Sequence, residues 1–451
     1  MIAVENRLGK ALTPEVLAGY RQDFEADRAN MVAMTAVTSA GLEQCARNGA
    51  ADRQDAAVYS LELEQRGITS QKQSGRCWIF AGLNFMRYHM IHKIDLESFE
   101  FSQNYTAFYD KLEKANYFLE NVLDTLSEPT DGRLLQYLLS GPVADGGQWD
   151  MFVSLIEKYG VVPKEAMPET VSSSATKALD ANLTEKLRGF ACTLREGFAD
   201  GRPADELRGE KEEMMACVYR MLCICLSCPP TTFDFAYRDK SKKFCKLVGM
   251  DPQRFYKEIV GLDLTEYVSL INAPTADKPY NHTYTVRFLG NVVGGRPVRY
   301  LNLESGALKR AAIAQMQDGV PVWFGSDVGA SSARTEGIMD LDAYRREDLF
   351  GTDFPMSKAQ RLDYGQSCMT HAMVLMGVDL DDAGQPKKWR VENSWGKDVG
   401  KDGYFVMTDG WFDEYVYQVV VNKKYLTEAE QAAWQQEPAV LEPWDPMGSL
   451  A

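Results

Sequence analysis

The sequence contains no uninterrupted apolar run of the about 18 residues that a membrane-spanning helix requires, so no membrane partner is expected. Residues 1–7 also lack the apolar stretch of a secretory signal peptide. The nine cysteines are an odd number, and without an export signal we interpret them as reduced thiols rather than as a disulfide framework. These absences predict a cytoplasmic protein.

Positive charge is in deficit, with 49 lysines and arginines against 64 aspartates and glutamates and a net charge of −15. This balance argues against general binding to nucleic acids or to anionic membranes. Only four histidines are present, and the cysteine-rich run from Cys223 to Cys228 has no second cysteine pair and no histidine nearby. We therefore expect neither a metal ion nor another cofactor.

The segment of residues 71–78 carries the first chemical signal, because it ends in a cysteine that opens a predicted helix. The apolar residues that follow lie on one helix face, at Ile79, Leu83, Met86 and Met90. Free N–H groups and the helix dipole at this position favour a thiolate, which predicts a lowered pKa for Cys77. The Gln71 amide is able to donate to an oxyanion together with the Cys77 N–H. Taken alone, a buried structural cysteine explains the pattern equally well.

Two distant residues supply the partners that such a nucleophile needs. His371 precedes an apolar run and is predicted to begin a strand, and Asn393 follows a second predicted strand. The Asn393 amide is able to accept the imidazole N–H and fix its tautomer, while Trp395 covers that bond from water. Cysteine, histidine and asparagine in this order are typical of a cysteine hydrolase.

These residues carry a resemblance to a known family. Residues 71–78, His371 with Ala372, and residues 393–396 resemble the papain superfamily. Longer segments resemble its bleomycin hydrolase / aminopeptidase C family, namely residues 233–239, 272–280, 290–295 and 446–448. The similarity extends from about residue 12 to the last residue.

The resemblance implies an α+β protein with a papain-like two-lobed fold, a helical left lobe, a barrel-like right lobe and large helical insertions. Cys77 and His371 are separated by far more than the roughly 130–150 residues of papain-type chains, so on the order of 150 residues are inserted. The domains that we predict are an N-terminal arm and wrapping helix (1–60), a left lobe with the catalytic helix (61–165), a helical insertion (166–275), a right lobe (276–425) and a C-terminal arm entering the cleft (426–451).

The resemblance also implies a cysteine aminopeptidase that acts on peptides with a free amino terminus. In it Cys77 attacks the carbonyl, His371 moves protons, Asn393 orients His371, and Gln71 stabilises the oxyanion. Three further residues are assigned to substrate binding: Gly147 at the cleft border, Trp395, and Ala451, whose carboxylate pairs with the substrate's ammonium. The family's homohexamer, with active sites facing an internal cavity, is expected as the assembly.

Several alternatives stay open from the sequence. The same triad serves an endopeptidase with a displaced C-terminal tail, an acyltransferase or a deamidase, and a non-catalytic hexameric scaffold is a further possibility. Cys368 is a rival nucleophile because it is near His371 in sequence, although it has no glutamine six residues before it. Gly147 is also explained by a plain turn before a helix, and the tail by simple disorder.

Overall fold

The computed structural model describes residues 11–51, 57–64 and 66–450. They divide into two compact units, one made of residues 11–51 and 341–355 and the other of the remaining described residues. None of the described helices is both long enough and apolar enough to cross a membrane.

The secondary structure comprises many helices and short strands. The α-helices are α1 (Pro14–Ala26), α2 (Arg28–Ala40), α3 (Leu42–Ala46), α4 (Cys77–Lys93), α5 (Gln103–Asp124), α6 (Arg133–Ser140), α7 (Trp149–Tyr159), α8 (Val171–Ser174), α9 (Lys177–Ala199), α10 (Ala204–Leu226), α11 (Pro252–Arg254), α12 (Ser305–Gln317), α13 (Arg346–Phe350), α14 (Lys358–Asp363), α15 (Asp409–Tyr415) and α16 (Glu428–Trp434). The strands are β1 (Leu61–Glu62), β2 (Phe233–Arg238), β3 (Phe244–Met250), β4 (Tyr267–Ile271), β5 (His282–Val286), β6 (Tyr300–Asn302), β7 (Val322–Ser326), β8 (Ser332–Ala333), β9 (Ile338–Met339), β10 (His371–Leu380), β11 (Pro386–Glu392), β12 (Tyr404–Thr408), β13 (Val416–Asn422) and β14 (Ala439–Leu441).

The smaller unit joins α1, α2 and α3 to residues 341–355. Thr13 caps α1 and Pro14 is its first residue, as the sequence predicts. The backbone N–H of Asn48 and the Arg47 guanidinium both donate to the carbonyl of Ala343, at 3.0 and 2.8 Å. Residues 341–355 therefore belong to the same unit as the N-terminal arm, whereas the sequence analysis placed them in the right lobe.

One mixed sheet dominates the larger unit. Its described strands run in the order β14, β5, β6, β4, β13, β7, β10, β11, β12, β9, β8, with β1 paired to β10 outside this path. β10 and β11 are antiparallel and align Val374 with Glu392. His371 at the start of β10 and Asn393 just after β11 therefore lie at the same end of this pair.

α4 crosses the centre of the larger unit and packs against β10 as well as α5 and α7. The sequence predicts one apolar face, but nearly the whole helix is buried, including Trp78, Ile79, Met86 and Met90. Its position between the sheet and two helices explains the difference, because apolar side chains are buried on every side. The first residue of α4 is thereby held in a fixed place.

The segment 166–275, predicted as a helical insertion, is helical only in part. α9 and α10 are its long helices, but β2 and β3 form a hairpin, and β4 belongs to the main sheet. The segment predicted as a helical insertion therefore also contains strands, and its role as an insertion stays a prediction. In β2, buried Phe233 and Phe235 alternate with exposed Asp234, a pattern typical of a half-buried strand.

Candidate active site

Cys77 is the first residue of α4 and is almost fully buried. Backbone hydrogen bonds from Cys77 itself, Trp78 and Ala372 reach its sulfur. The thiol therefore lies between the N-terminus of α4 and the beginning of β10, the strand that starts with His371. Backbone donors from two distant segments, the start of α4 and the start of β10, therefore stabilise negative charge on the sulfur.

The imidazole of His371 is fixed by Asn393. The His371 Nε2–H donates to Asn393 Oδ1 at 2.9 Å, and both side chains are buried. The backbone N–H of Ser394 donates to the same oxygen at 2.8 Å, which holds the carboxamide in place. This arrangement leaves the other ring nitrogen, Nδ1, as the acceptor for a proton from a nucleophile.

Burial shifts the protonation of both reacting groups toward their neutral forms. Burial raises the pKa of Cys77 to about 11, because loss of hydration outweighs the backbone hydrogen bonds to the sulfur. Burial also lowers the pKa of His371 to about 4, although the bond to Asn393 acts in the opposite direction. The backbone N–H groups at the helix start act to lower the pKa of Cys77, as expected, but desolvation is the larger effect and raises it overall.

Gln71 is buried, and both ends of its carboxamide are held. Ser394 Oγ donates to Gln71 Oε1 at 2.6 Å, and Gln71 Nε2 donates to the carbonyl of Ser74 at 2.6 Å. A carboxamide nitrogen carries two N–H groups, so one is left for an oxyanion. No role for Ser394 was predicted from the sequence, although Ser394 lies within the segment 393–396 that carries the resemblance.

Trp395 lies beside the imidazole. Its ring centroid is 4.8 Å from that of His371, and the Arg334 guanidinium lies over the indole at 4.0 Å. The indole therefore covers part of the imidazole, and its contact with substrate stays a prediction. The Arg334 charge also contributes, after burial, to the lowered pKa of His371.

The loop that contains Gly147 packs against the start of α4. A Cβ atom at Gly147 would lie 2.4 Å from Cε2 of Trp78, so no larger residue fits without displacing that indole. The Trp78 Nε1–H donates to the Asp145 carbonyl at 2.7 Å, and the Gly75 N–H donates to the Asp145 carboxylate at 2.7 Å. Gly147 therefore has a packing role, and its contact with substrate stays a prediction.

Two buried lysines of α5 support this loop from behind. Lys111 donates to the carbonyl of Val143 at 2.7 Å and forms an ion pair with Asp145 at 2.8 Å. Lys114 donates to the carbonyls of Ala144 and Gly146, both at 2.7 Å. Burial opposes ionisation of Asp145, but Lys111 outweighs it and holds the pKa of that carboxyl below its usual range. The sequence offered no signal for these contacts, which join residues far apart in the chain.

The C-terminal tail reaches the same region. Gln148 Nε2 donates to the Ser449 carbonyl at 2.6 Å, and Ser449 Oγ donates to the carbonyl of Met369 at 2.9 Å. Gln148 follows Gly147, and Met369 lies two residues before His371, so Ser449 connects both sides of the site. Ala451, the residue assigned to ammonium binding, lies outside the described residues.

The sheet packs against helices, an asparagine orients a histidine at the start of a strand, and the next residue of that strand binds the sulfur of a helix-start cysteine. This arrangement is that of a papain-like cysteine peptidase. The model of the Peptidase C1-like family matches residues 11–448. The aminopeptidase C of Listeria monocytogenes is 48% identical over 440 residues, which cover 98% of this chain and 99% of that protein. Human bleomycin hydrolase is 42% identical over 449 residues, covering 98% and 99% of the two chains.

A crystal structure of PepW from Lactobacillus rhamnosis is similar along nearly its whole length. It is 51% identical and has a TM-score of 0.96, and the match covers 98% of this chain and 100% of that one. The chain belongs to the Peptidase C1-like family, and its papain-like α+β fold is the one that the sequence resemblance implies.

Proposed function

We propose that the protein is a cysteine aminopeptidase that removes residues from the free amino termini of peptides, with Cys77 as its nucleophile. The enzyme class agrees with the names of the relatives, aminopeptidase C and bleomycin hydrolase. The observation that carries the residue assignment is the 2.9 Å bond between His371 and Asn393, beside a cysteine that begins a helix. The rival Cys368 is not in a helix, so it lacks the free N–H groups of a helix start.

The geometry supports a two-stage acyl transfer. The Cys77 sulfur attacks the carbonyl carbon of the first peptide bond while the thiol proton passes to His371. The carbonyl oxygen becomes an oxyanion, which accepts hydrogen bonds from the Cys77 N–H and from the remaining side-chain N–H of Gln71. His371 protonates the leaving amine, the C–N bond breaks, and a thioester remains. His371 then takes a proton from water, whose oxygen attacks the thioester carbon. The C–S bond breaks, the amino acid leaves, and His371 returns the proton to the Cys77 sulfur.

The preference for a free amino terminus is assigned to the tail. Support comes from Ser449, which is bound by Gln148 on one side of the site and binds the Met369 carbonyl on the other. The Ala451 carboxylate would pair with the substrate's α-ammonium. Such a charge-assisted bond is worth roughly 1.5–3 kcal/mol, or about 10- to 100-fold in selection. A tail held in this way disfavours the alternative of an endopeptidase with a displaced tail.

Alkylation identifies the nucleophile directly. Iodoacetamide at low stoichiometry should label Cys77 first, with loss of activity in proportion to the label, because His371 lies at hand to accept the thiol proton. Peptide mapping by mass spectrometry measures the labelled site, and Cys77→Ser is the control that should be inactive and unlabelled there. First labelling of Cys368 or of the Cys223 to Cys228 run would contradict the assignment.

A homohexamer is proposed as the assembly, on the strength of the family resemblance and of an apolar surface in the smaller unit. No residue of α1 or α2 is buried within the described chain. Large apolar side chains are nevertheless exposed there, namely Val16, Leu17, Tyr20, Phe24, Met31, Val32 and Met34. A surface of this kind is typical of a contact with another protein. In the expected homohexamer, other copies of this chain would cover it.

The proposed compartment is the cytoplasm. All nine cysteines lie in the part of the chain that the structure describes, and each is a free thiol there. Free thiols in this number suit a reducing compartment. Peptides with free amino termini are the substrates that such a location would offer.

A further inference from the structure

Arg76, the residue before the nucleophile, is buried to 1% exposure although it carries a charge. Its guanidinium binds Glu169 through two parallel bonds, from Nη1 to Oε1 at 3.1 Å and from Nη2 to Oε2 at 2.7 Å. The third donor, Nε, reaches Ser74 Oγ at 3.0 Å. Burying an ion pair is costly, and a planar bidentate fork fixes both partners in orientation. The pair is therefore suited to holding a geometry.

The Arg76 guanidinium is connected to Gln71 through Ser74. Ser74 Oγ, which accepts from Arg76, donates to the Gln71 carbonyl at 2.7 Å. Gln71 Nε2 in turn donates to the Ser74 carbonyl at 2.6 Å. Arg76, Ser74 and Gln71 thus form a closed set of hydrogen bonds in the turn before α4. The direction of the second Gln71 N–H, the one left for the oxyanion, depends on this set.

Glu169 connects the turn to the helices after the left lobe. Ser173 Oγ donates to Glu169 Oε2 at 2.6 Å, and Thr170 Oγ1 donates to the carbonyl of Cys225 in the last turn of α10 at 2.9 Å. The backbone N–H of Gln73 donates to the carbonyl of Ser174 at 2.9 Å. The segment 169–174 is therefore bound to α10 on one side and to the turn before α4, which contains Gln71, on the other.

We propose that Arg76 is a positioning residue, which uses its fork to Glu169 to make α8 and α10 hold Gln71 in its oxyanion-binding orientation. The inference rests on the proposed function, in which Gln71 stabilises the oxyanion. Arg76 itself touches neither substrate nor the reacting atoms in this account. Its loss should therefore weaken the chemical step more than substrate binding or the reactivity of the Cys77 thiol.

Arg76→Lys tests this, because it keeps the charge and removes the fork. With a free-amine aminoacyl anilide, kcat should fall about 10-fold, the scale expected when a catalytic group is misplaced by less than an ångström. KM and the rate of Cys77 alkylation by iodoacetamide should each stay within about twofold of the original, because binding and the thiol are untouched. Glu169→Gln should give the same pattern from the other side of the pair.

The decisive comparison adds Gln71→Ala. Alone, this change should lower kcat by roughly 10²-fold, the usual loss for one oxyanion donor. Adding Arg76→Lys to it should cost little more, because Arg76 acts through the side chain already removed. Arg310→Lys is the control, since Arg310 Nη2 donates to both carboxylate oxygens of Glu430 at 2.7 Å, and Glu430 belongs to α16 rather than to the site. It should leave kcat unchanged.

Three results would overturn the inference: unchanged kcat in folded Arg76→Lys and Glu169→Gln, equal losses in kcat and in Cys77 alkylation, or the same loss with and without Gln71. If Arg76→Lys does not fold, Glu169→Gln decides by the same measures. Failure of the proposed function is distinguishable from all of these. It would appear as an unchanged kcat in Gln71→Ala alone, which would remove the oxyanion role and, with it, the route assigned to Arg76.

Discussion

The sulfur of Cys77 lies in a region with little water but with backbone donors from two segments. Burial disfavours a thiolate, whereas hydrogen bonds from Ala372, Trp78 and Cys77 favour it. Opposing effects also act on His371, since burial disfavours the imidazolium whereas the hydrogen bond to Asn393 favours it. The free protein therefore favours neutral groups, and in the proposed mechanism charge develops only when the thiol proton moves to His371 as the substrate is attacked.

This protonation state predicts a pH dependence of stability. With a pKa of about 4 in the folded protein and near 6.5 in the unfolded chain, His371 takes up its proton only on unfolding within that range. The free energy of unfolding should therefore decrease as the pH falls from about 6.5 to about 4, with a loss of roughly 2 kcal/mol between pH 7 and pH 5. In His371→Gln this part of the loss should disappear.

Urea unfolding of both proteins at pH 7 and pH 5 measures the difference. Equal losses of stability in the two proteins would show that His371 is already protonated in the folded state. The resting site would then hold an ion pair rather than neutral groups.

At the scale of secondary structure, the elements that carry the site could be predicted because their signals are local. The helix after Cys77 and the strand after His371 follow from apolar patterns, and Thr13 with Pro14 marks the start of α1. The hairpin of β2 and β3 was missed because the surrounding residues are charged and helical. Long-range contacts, such as Arg76 with Glu169, leave no local pattern from which they could be read.

The tail is the element whose position decides between the proposed activity and its nearest alternative. Asp445 caps the turn Pro446–Gly448 and forms an ion pair with the buried Lys278 at 2.8 Å. The Tyr300 hydroxyl donates to the Met447 carbonyl at 3.1 Å. These contacts precede Ser449 and fix the position of the tail up to that residue.

Asp445→Asn should therefore loosen the tail and reduce the preference for free amino termini, on the order of fivefold for a loss of about 1 kcal/mol. The measurement is the ratio of kcat/KM for a peptide with a free amino terminus to that for its N-acetylated form. Asp277→Asn is the matched control, because Asp277 is the exposed second partner of Lys278, at 2.8 Å. Equal effects of the two substitutions would show that the Asp445 contact does not hold the tail.

For the whole molecule, the apolar surface of α1 and α2 predicts that copies of the chain associate. The variant with Tyr20→Ser and Phe24→Ser should dissociate toward a mass near the 50.6 kDa of one chain, whereas the original should approach six times that value. Light scattering at micromolar concentration measures the mass. Val171→Ser, which removes an exposed apolar residue outside α1 and α2, is the control. An original protein that is fully active near 50.6 kDa would refute the assembly.

The papain-like α+β fold was predictable from sequence because the motifs that carry the resemblance are long and specific, whereas the roles assigned to Cys77, His371 and Asn393 stay predictions. The association of residues 341–355 with the N-terminal arm was not predictable, because the hydrogen bond from Asn48 to the Ala343 carbonyl joins segments that are distant in the sequence. The supporting contacts of Lys111 and Lys114 were missed for another reason, since a buried lysine on an amphipathic helix has the sequence pattern of an exposed one.

The central claim is that the protein is a cysteine aminopeptidase, and one comparison tests it most directly. A single peptide is offered to the unmodified protein in two forms, with a free and with an N-acetylated amino terminus, and the products are identified by mass spectrometry. The account predicts stepwise removal of residues from the free form, cleavage of the acetylated form at least about 10-fold slower, and no cleavage of either by Cys77→Ser. Internal cleavage of both forms at similar rates would contradict it.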